Sequence, residues 1–496
     1  TVEVSVRDMA SYDYSDANKN GFKGYELESG EYVLRVAKNA REDVKTYSYN
    51  LANDIKYETD SATNATIENL FDDVSGRIKT YMSRADFDGT FPALPTADEY
   101  KLSASDLSAL NYKLADKETD PWYATKTPSF SSANLTLDQT TVKLYDLIGK
   151  DYNDEKWEEL LSQLTVADVR KLIESGNYHT EPIECIDKPK TTDPDGPMGY
   201  SLFMGDPSVY ETCYYSSESL MGCTWNKELM ERFGEMIGEE SLVGNKKGDG
   251  RTYAGWYAPA CNLHRSQFSG RNFEYYSEDG VLSSSLTVAV IKGAKKKGVY
   301  TYLKHFALND QETNRDTSGL VVWANEQAMR ENYFLPFEKA VKDGGTNAMM
   351  SAFNRIGFTW CGGNYTLLTT LLRDEWGFEG MVVTDYNLTA YMNVDQMIRA
   401  GGDINLSQSK SLKDVSSATA LMAMRKAAKN ILFTVANSNA MNGHGSGNVY
   451  GYAGPTWFTI MWASFAVVVS AVLTFGVFAV VSAVSGYRAG VKAGVI

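Results

Sequence analysis

Between residues 150 and 406 the chain alternates short unbroken apolar runs with longer stretches in which apolar residues recur three and four positions apart. The runs Tyr253 to Ala260, Tyr300 to Leu303, Ala348 to Ala352, Met381 to Thr384 and Asp403 to Leu406 read as buried strands. Lys156 to Leu164, Ser285 to Lys297, Asn325 to Lys342, Tyr365 to Glu375 and Val394 to Ala400 carry the helical period, and Thr165 caps a further helix with Val169, Leu172 and Ile173 on one face. Apolar strands joined by helices imply a parallel sheet, and the number of such units predicts a TIM-like (β/α) barrel over residues 151–436.

The flanks follow other periods. Val2 to Val6, Tyr32 to Val36 and Tyr47 to Leu51 alternate apolar with polar residues between Gly- and Asn-rich turns, which predicts a small antiparallel β-sandwich over residues 1–60. Residues 61–150, interrupted by Pro92, Pro95, Pro121 and Pro128, read as a connector packed along the barrel, with a short helix near Asp106 to Lys113. From Thr456 to Tyr487 there is no charge, a span longer than the roughly 20 residues that cross a bilayer. Trp457, Trp462 and Tyr487 flank it as interfacial aromatics, and Arg488 and Lys492 follow, so residues 456–487 read as one transmembrane helix and 488–496 as a cytoplasmic tail, with the bulk of the chain outside the cell. Residues 437–455, rich in Asn, Gly and Ser, read as a flexible linker. Thr1 is no initiator and the chain opens on a strand pattern, so it reads as a fragment of a larger polypeptide.

Composition narrows the classes of function. A formal charge of -15 with pI near 4.9 excludes nucleic acid as the expected partner. The 31 Tyr and 9 Trp suit surfaces that stack on sugars, although much of this aromatic content is core. Five cysteines without a CxxC pair indicate neither a zinc knuckle nor a disulfide framework; whether Cys213 and Cys223 pair, as they could in an exported chain, is left open by the sequence. Asp16 to Gly21 matches the first half of an EF-hand loop, but Leu27 stands where the bidentate Glu belongs, so it reads as a polar loop.

Chemistry gathers at the strand ends. Asp195 stands in a Gly-Pro turn, Arg265, Arg271 and Glu274 follow the strand at 253, Lys304 and His305 close the strand at 300, Asn354 and Arg355 close the next, and Asp385 ends the run from Met381. Taken singly each has a plainer reading: a turn or cap for the aspartates, a loop-bracing ion pair for Arg271 and Glu274, a satisfied core imidazole for His305. In a barrel, however, all these ends meet on one face.

The motifs DGPMG (Asp195 to Gly199), GRNFEYYSED (Gly270 to Asp279), YLKHFALNDQET (Tyr302 to Thr313) and VTDY (Val383 to Tyr386) occur in order. Together they resemble glycoside hydrolase family 3 across residues 165–436. The opening sandwich resembles the fibronectin type III-like module of bacterial members, and SRADFDGT (Ser83 to Thr90) resembles the connector of members with reversed domain order. The resemblance implies that Asp385 is a nucleophile, that Asp195, Arg271, Lys304 and His305 hold the hydroxyls of the first sugar, and that Phe353 and Tyr386 line the same pocket. Family members often carry Tyr where Phe353 stands. The reaction implied is retaining, exo-acting β-glucoside hydrolysis through a glycosyl-Asp ester, without metal or organic cofactor. The acid/base Glu is expected on an upstream α/β sandwich domain. No His lies between His305 and Arg315, against the N-acetylglucosaminidase subgroup. A β-xyloside or arabinoside substrate, or a non-catalytic sugar-binding surface protein, are the competing readings.

Overall fold

The computed structural model describes residues 3–39, 41–75, 96, 101–202, 210, 212–244, 252–407, 409–447 and 456–495. They fall into two compact units, Thr1–Asn448 and Val449–Ile496. The connector motif at Ser83 to Thr90 lies outside the described residues.

The centre of the first unit is a parallel sheet of Gly255–Trp256, Tyr300–Phe306, Ala348–Ser351 and Met381–Thr384, in that spatial order. Pairing continues past both edges, through an Asp195–Tyr257 bridge and a Val383–Ile404 bridge. Asn405 N–H then donates to Ile173 O (2.8 Å), and Asp193 N–H to Tyr178 O (2.9 Å), so main-chain hydrogen bonding leads from residues 173–178 across the strands and back to 173. Successive side chains on a strand face opposite ways. Accordingly Tyr302, Met350, Met381 and Val383 join one buried cluster while Leu303, Met349 and Val382 join another, which is why these runs are apolar at every position. Buried Asp193 meets the first cluster through two of its tyrosines, its carboxylate accepting from Tyr300 Oη (2.7 Å) and Tyr302 Oη (2.9 Å).

Helices pack outside the strands. Val166–Glu174 has Thr165 as N-cap with a reciprocal Asp168 capping box, and Val394–Ala400 has the predicted limits. The helix expected over Asn325 to Lys342 is interrupted: Glu326–Ala328 passes through a wide turn at Met329–Tyr333 before Leu335–Lys342, with Pro336 at the restart. The strands expected at Tyr253 to Ala260 and Asp403 to Leu406 shrink to Gly255–Trp256 and the single Ile404 bridge, because loops to the site begin early on both. The short helix near 106 is Ala104–Ala109, ending before the predicted Lys113.

The N-terminal sixty residues differ more. The strand expected at Val2 to Val6 is missing from the described residues, where Arg7–Met9 is a 3-10 turn and Arg7 lays its guanidinium over the Tyr25 ring (3.4 Å). The other strands make one three-stranded antiparallel sheet, Ser11–Asp13 and Ile55–Tyr57 flanking Gly24–Leu27, and a separate Gly30–Asn39/Glu42–Leu51 hairpin. Among the described residues these are not two packed faces: hairpin side chains are exposed along both strands, and Arg35 and Lys38 pair across to Asp43 and Glu42. Tyr12 anchors the three-stranded sheet, its ring beneath buried Arg330 (4.7 Å), which pairs with Glu326 and Glu375.

Two further boundaries move. The stretch expected to be a free linker from 437 starts packed: Asn439 N–H donates to Gly298 O (2.8 Å) and Met441 is buried. In the second unit the helix runs Thr456–Lys492, past Tyr487 and through the charges assigned to the tail. It is long and apolar enough to cross a membrane. Cys213 and Cys223 are both free and exposed.

Candidate active site

Asp385 follows the last residue of the Met381–Thr384 strand, and its N–H donates to Ser351 O (3.0 Å), which ties it to the neighbouring strand. Its two carboxylate oxygens differ. Oδ1 accepts from Tyr386 N–H at 2.7 Å, whereas Oδ2 is buried without a hydrogen-bond partner. The cation nearest Oδ2 is Arg315, whose Nη1 lies 3.8 Å away and is itself unpartnered. Burial pushes the Asp385 carboxyl above the usual aspartate range; Arg315, then Arg271, the Tyr386 N–H and Lys304 oppose it. Oδ2 is therefore an unspent acceptor beside Arg315, with Arg271 and Lys304 adding positive charge nearby.

Lys304 and His305 come from the end of the Tyr300–Phe306 strand. Lys304 is buried, with Nζ 3.1 Å from Asp195 Oδ1 and 3.6 Å from Glu274 Oε2. Burial alone would lower its pKa, but Asp195 and Glu274 outweigh that and hold it above the ordinary lysine value, so it is charged. Arg271 forms an ion pair with the same Glu274 and reaches Glu312 at 3.5 Å. Glu274 is thus shared by two cations, which outweigh its burial and keep its pKa low.

His305 is neutral: burial, followed by Arg271, Lys304 and Arg315, drives its pKa well below the ordinary imidazole value. With Arg271 Nη2 3.1 Å from Nε2, that nitrogen is the acceptor and the proton sits on Nδ1, 3.4 Å from Tyr275 Oη. The 3.7 Å from His305 Nε2 to Asp385 Oδ2 is accordingly proximity rather than a hydrogen bond. Asn262 fixes the His305 backbone, accepting from its N–H (2.8 Å) and donating to its O (3.0 Å).

The structure brings Asp195, Arg271, Lys304, His305 and Asp385 together, although they are spread over 190 residues of sequence (385 − 195). Phe353 lines the same place, its ring 4.3 Å below the Arg315 guanidinium, and Tyr386 is half-buried next to Asp385. Arg315, Glu312 and Tyr391 join the site without having stood out in the sequence. Glu312 and Arg315 pair at 2.9 Å within the loop after His305, and Tyr391 Oη donates to Phe353 O (2.9 Å) and Arg315 O (3.2 Å). An acidic and a basic residue three apart in a loop was the one signal for the first pair; nothing local marked Tyr391. Arg265 pairs instead with Asp310. A cavity of about 640 Å3 lined by Trp122, Tyr152, Arg373 and Lys426 holds none of the site residues.

Residues 211–437 match the family model described as "Glycosyl hydrolase family 3 N terminal domain". The chain is 36% identical over 265 residues to thermostable beta-glucosidase B of Acetivibrio thermocellus, covering 52% of this chain and 34% of that one. It is 29% identical over 426 residues to beta-glucosidase A of Butyrivibrio fibrisolvens, covering 82% and 47%. Among solved structures, beta-glucosidase from Kluyveromyces marxianus in complex with glucose aligns with a TM-score of 0.51 at 27% identity, over 60% of this chain and 37% of that one. The chain thus spans a third to a half of the length of these curated relatives, 34% and 47%. The matched domain contains every site residue above except Asp195, and it is over residues 211–437 that this chain is similar to glycosyl hydrolase family 3.

Proposed function

We propose that this chain carries the nucleophile and glycone clamp of a retaining, exo-acting β-glucosidase. The observation that carries the reading is the unpartnered Asp385 Oδ2 facing Arg315 amid Lys304, Arg271 and neutral His305. The parallel strands are read as a TIM-like barrel whose C-terminal mouth is this site, and residues 1–60 as part of a fibronectin type III-like module. Glucose enters with its hydroxyls against Asp195, Lys304, Arg271 and His305; charged partners bind neutral polyols through strong hydrogen bonds. Asp385 Oδ2 attacks the anomeric carbon, the aglycone leaves with its bonding electrons, and water later releases the sugar from the ester. Of the carboxylates nearby, Asp195, Glu274 and Glu312 are each held by a cation, so the acid/base is assigned to a carboxyl outside the described residues. The Thr456–Lys492 helix is read as a single membrane anchor with the catalytic unit outside the cell.

The test is a panel of 2,4-dinitrophenyl β-glycosides with azide as acceptor. The leaving group needs no proton, and azide replaces the base-activated water. The glucoside should yield β-glucosyl azide faster than the xyloside or arabinoside. Preference for a pentoside would change the assigned sugar, and no azide product from any of them would favour a non-catalytic sugar-binding role.

A further inference from the structure

The ladder beside Lys304 contains an amide that no strand satisfies. Lys304 N–H donates to Pro259 O (3.1 Å) and Lys304 O accepts from Cys261 N–H (2.9 Å). Ala260, between those two residues, bridges Lys304 in parallel register and so directs its own N–H away from it, toward the strand that carries Asp195. Pairing with that strand stops at the Asp195–Tyr257 bridge. The Ala260 N–H is taken up instead by Glu218, at the start of the Glu218–Gly222 helix, whose two carboxyl oxygens lie 3.3 and 3.2 Å away.

Glu218 is 0% exposed and no ion pair to it is present among the described residues. Burial drives its pKa well above the usual glutamate value and Glu274 adds to the rise, while the Ala260 amide, the Tyr276 hydroxyl and Lys304 oppose it. The helix that carries it lies against the clamp loop: a Cβ at Gly222 would stand 2.1 Å from Tyr276 O. A carboxyl in a dry position, held on one backbone amide with the Tyr276 hydroxyl beside it, would be poorly explained as packing alone, since an apolar residue fills space without a desolvation cost.

We infer that Glu218 is a positioning residue for the glycone clamp: it stands in for the missing strand, holds the Ala260 amide, and thereby fixes the Lys304 backbone where Nζ meets Asp195 and Glu274. This rests on the β-glucosidase reading above. The role asks for an acceptor of the right length rather than for a negative charge.

Three variants of the full chain separate these demands. Glu218→Gln keeps the acceptor, Glu218→Asp draws it back by one methylene, and Glu218→Leu removes it. Labelling by 2,4-dinitrophenyl 2-deoxy-2-fluoro-β-D-glucoside should be half-saturated at the wild-type concentration in Glu218→Gln, with the same pH profile. Half-saturation should rise severalfold in Glu218→Asp and about tenfold or more in Glu218→Leu, with the limiting rate changed less. Hydrogen exchange over the segment containing Ala260 should stay slow in wild type and Glu218→Gln and become fast in Glu218→Leu. Unchanged half-saturation in both Glu218→Asp and Glu218→Leu would overturn the inference, as would a shifted pH profile in Glu218→Gln. Should Glu218→Leu fail to fold, Glu218→Asp and Glu218→Gln decide. If wild type takes up no label, the glucosidase reading falls instead, and the exchange pattern still decides whether Glu218 holds the amide.

Discussion

Replacing Arg315 by Gln should raise the pH at which the nucleophile becomes active. Arg315 Nη1 lies 3.8 Å from the unpartnered Asp385 Oδ2. A unit charge pair near 4 Å is worth about 4 kcal/mol at an effective dielectric of about 20 and about 1 kcal/mol in bulk water. Because Arg271 and Lys304 remain, a value between those limits applies, about 1.4–2.7 kcal/mol, or about 1–2 pK units. The sign follows from the protonation states. Only the carboxylate attacks, burial already holds Asp385 above the ordinary aspartate value, and Arg315 is first among the groups pulling it back. Without that cation, a higher pH is needed to ionise it. The assay is kcat/KM against pH for 2,4-dinitrophenyl β-D-glucoside with azide, which reports the free protein's ionisation. The acid limb should move up by about 1–2 units in Arg315→Gln and less in Arg315→Lys, which keeps the charge but loses the fit to Phe353 and Glu312. A limb that stays in place, or moves to lower pH, would refute the claim that Arg315 sets the charge state of Asp385.

Other perturbations probe the clamp, the scaffold and the anchor. Lys304→Met leaves Asp195 without its cation and Glu274 with one fewer; a loss of about 3–5 kcal/mol in stability, with glucose binding abolished, is expected from calorimetry. Tyr391→Phe deletes the bonds to Phe353 O and Arg315 O, and should cost about 1–2 kcal/mol in kcat/KM against the aryl glucoside. Asp414, at about 2, is held low against its burial by Ser417, Ser416 and Arg399. It therefore contributes stability above the unfolded aspartate value that is lost as pH falls toward 2, about 1–2 kcal/mol after allowance for partial exposure. Thermal melts of Asp414→Asn should differ from wild type at pH 7 and converge near pH 2. Removal of residues 449–496 should shift the chain from the membrane to the aqueous fraction on centrifugation; retention in the membrane would contradict the anchor reading.

The strand ends were legible in the sequence because a strand buried on both faces must be apolar throughout, so a lone charge at its end stands out. Asp385 after Met381–Thr384 is the clearest example. Lys304 and His305 were equally visible, although the strand bearing them runs on to Phe306. Two long helices had weaker signals. Ala418–Ala436 is buried nearly all round and has little polar face to set its period, and Lys227–Val243 packs through Gly234 and Gly238 where large apolar residues would ordinarily mark a face. The N-terminal hairpin misled in the opposite way. Leu34 and Val36, and Tyr47 and Tyr49, stand two apart across a polar residue as in a half-buried strand, yet they are exposed, at 36%, 53%, 49% and 39%. Alternation specifies a strand, not what covers it. Glu218 was invisible for a different reason: its partner is the amide of Ala260, which leaves no mark in a pattern of side chains.

Ion pairing explains why the site tolerates so much charge. Three cations, Lys304, Arg271 and Arg315, face the four carboxylates of Asp195, Glu274, Glu312 and Asp385. Asp195, Glu274 and Glu312 each have a cation within 3.5 Å, whereas the closest to Asp385 Oδ2 is 3.8 Å away. That asymmetry leaves one carboxylate oxygen available for bond formation. The most direct measurement is to incubate the full chain with 2,4-dinitrophenyl 2-deoxy-2-fluoro-β-D-glucoside and map the adduct by mass spectrometry. The account predicts one fluoroglucosyl group esterified to Asp385 and none on Asp385→Asn. Labelling of another residue, or equal labelling of Asp385→Asn, would contradict it.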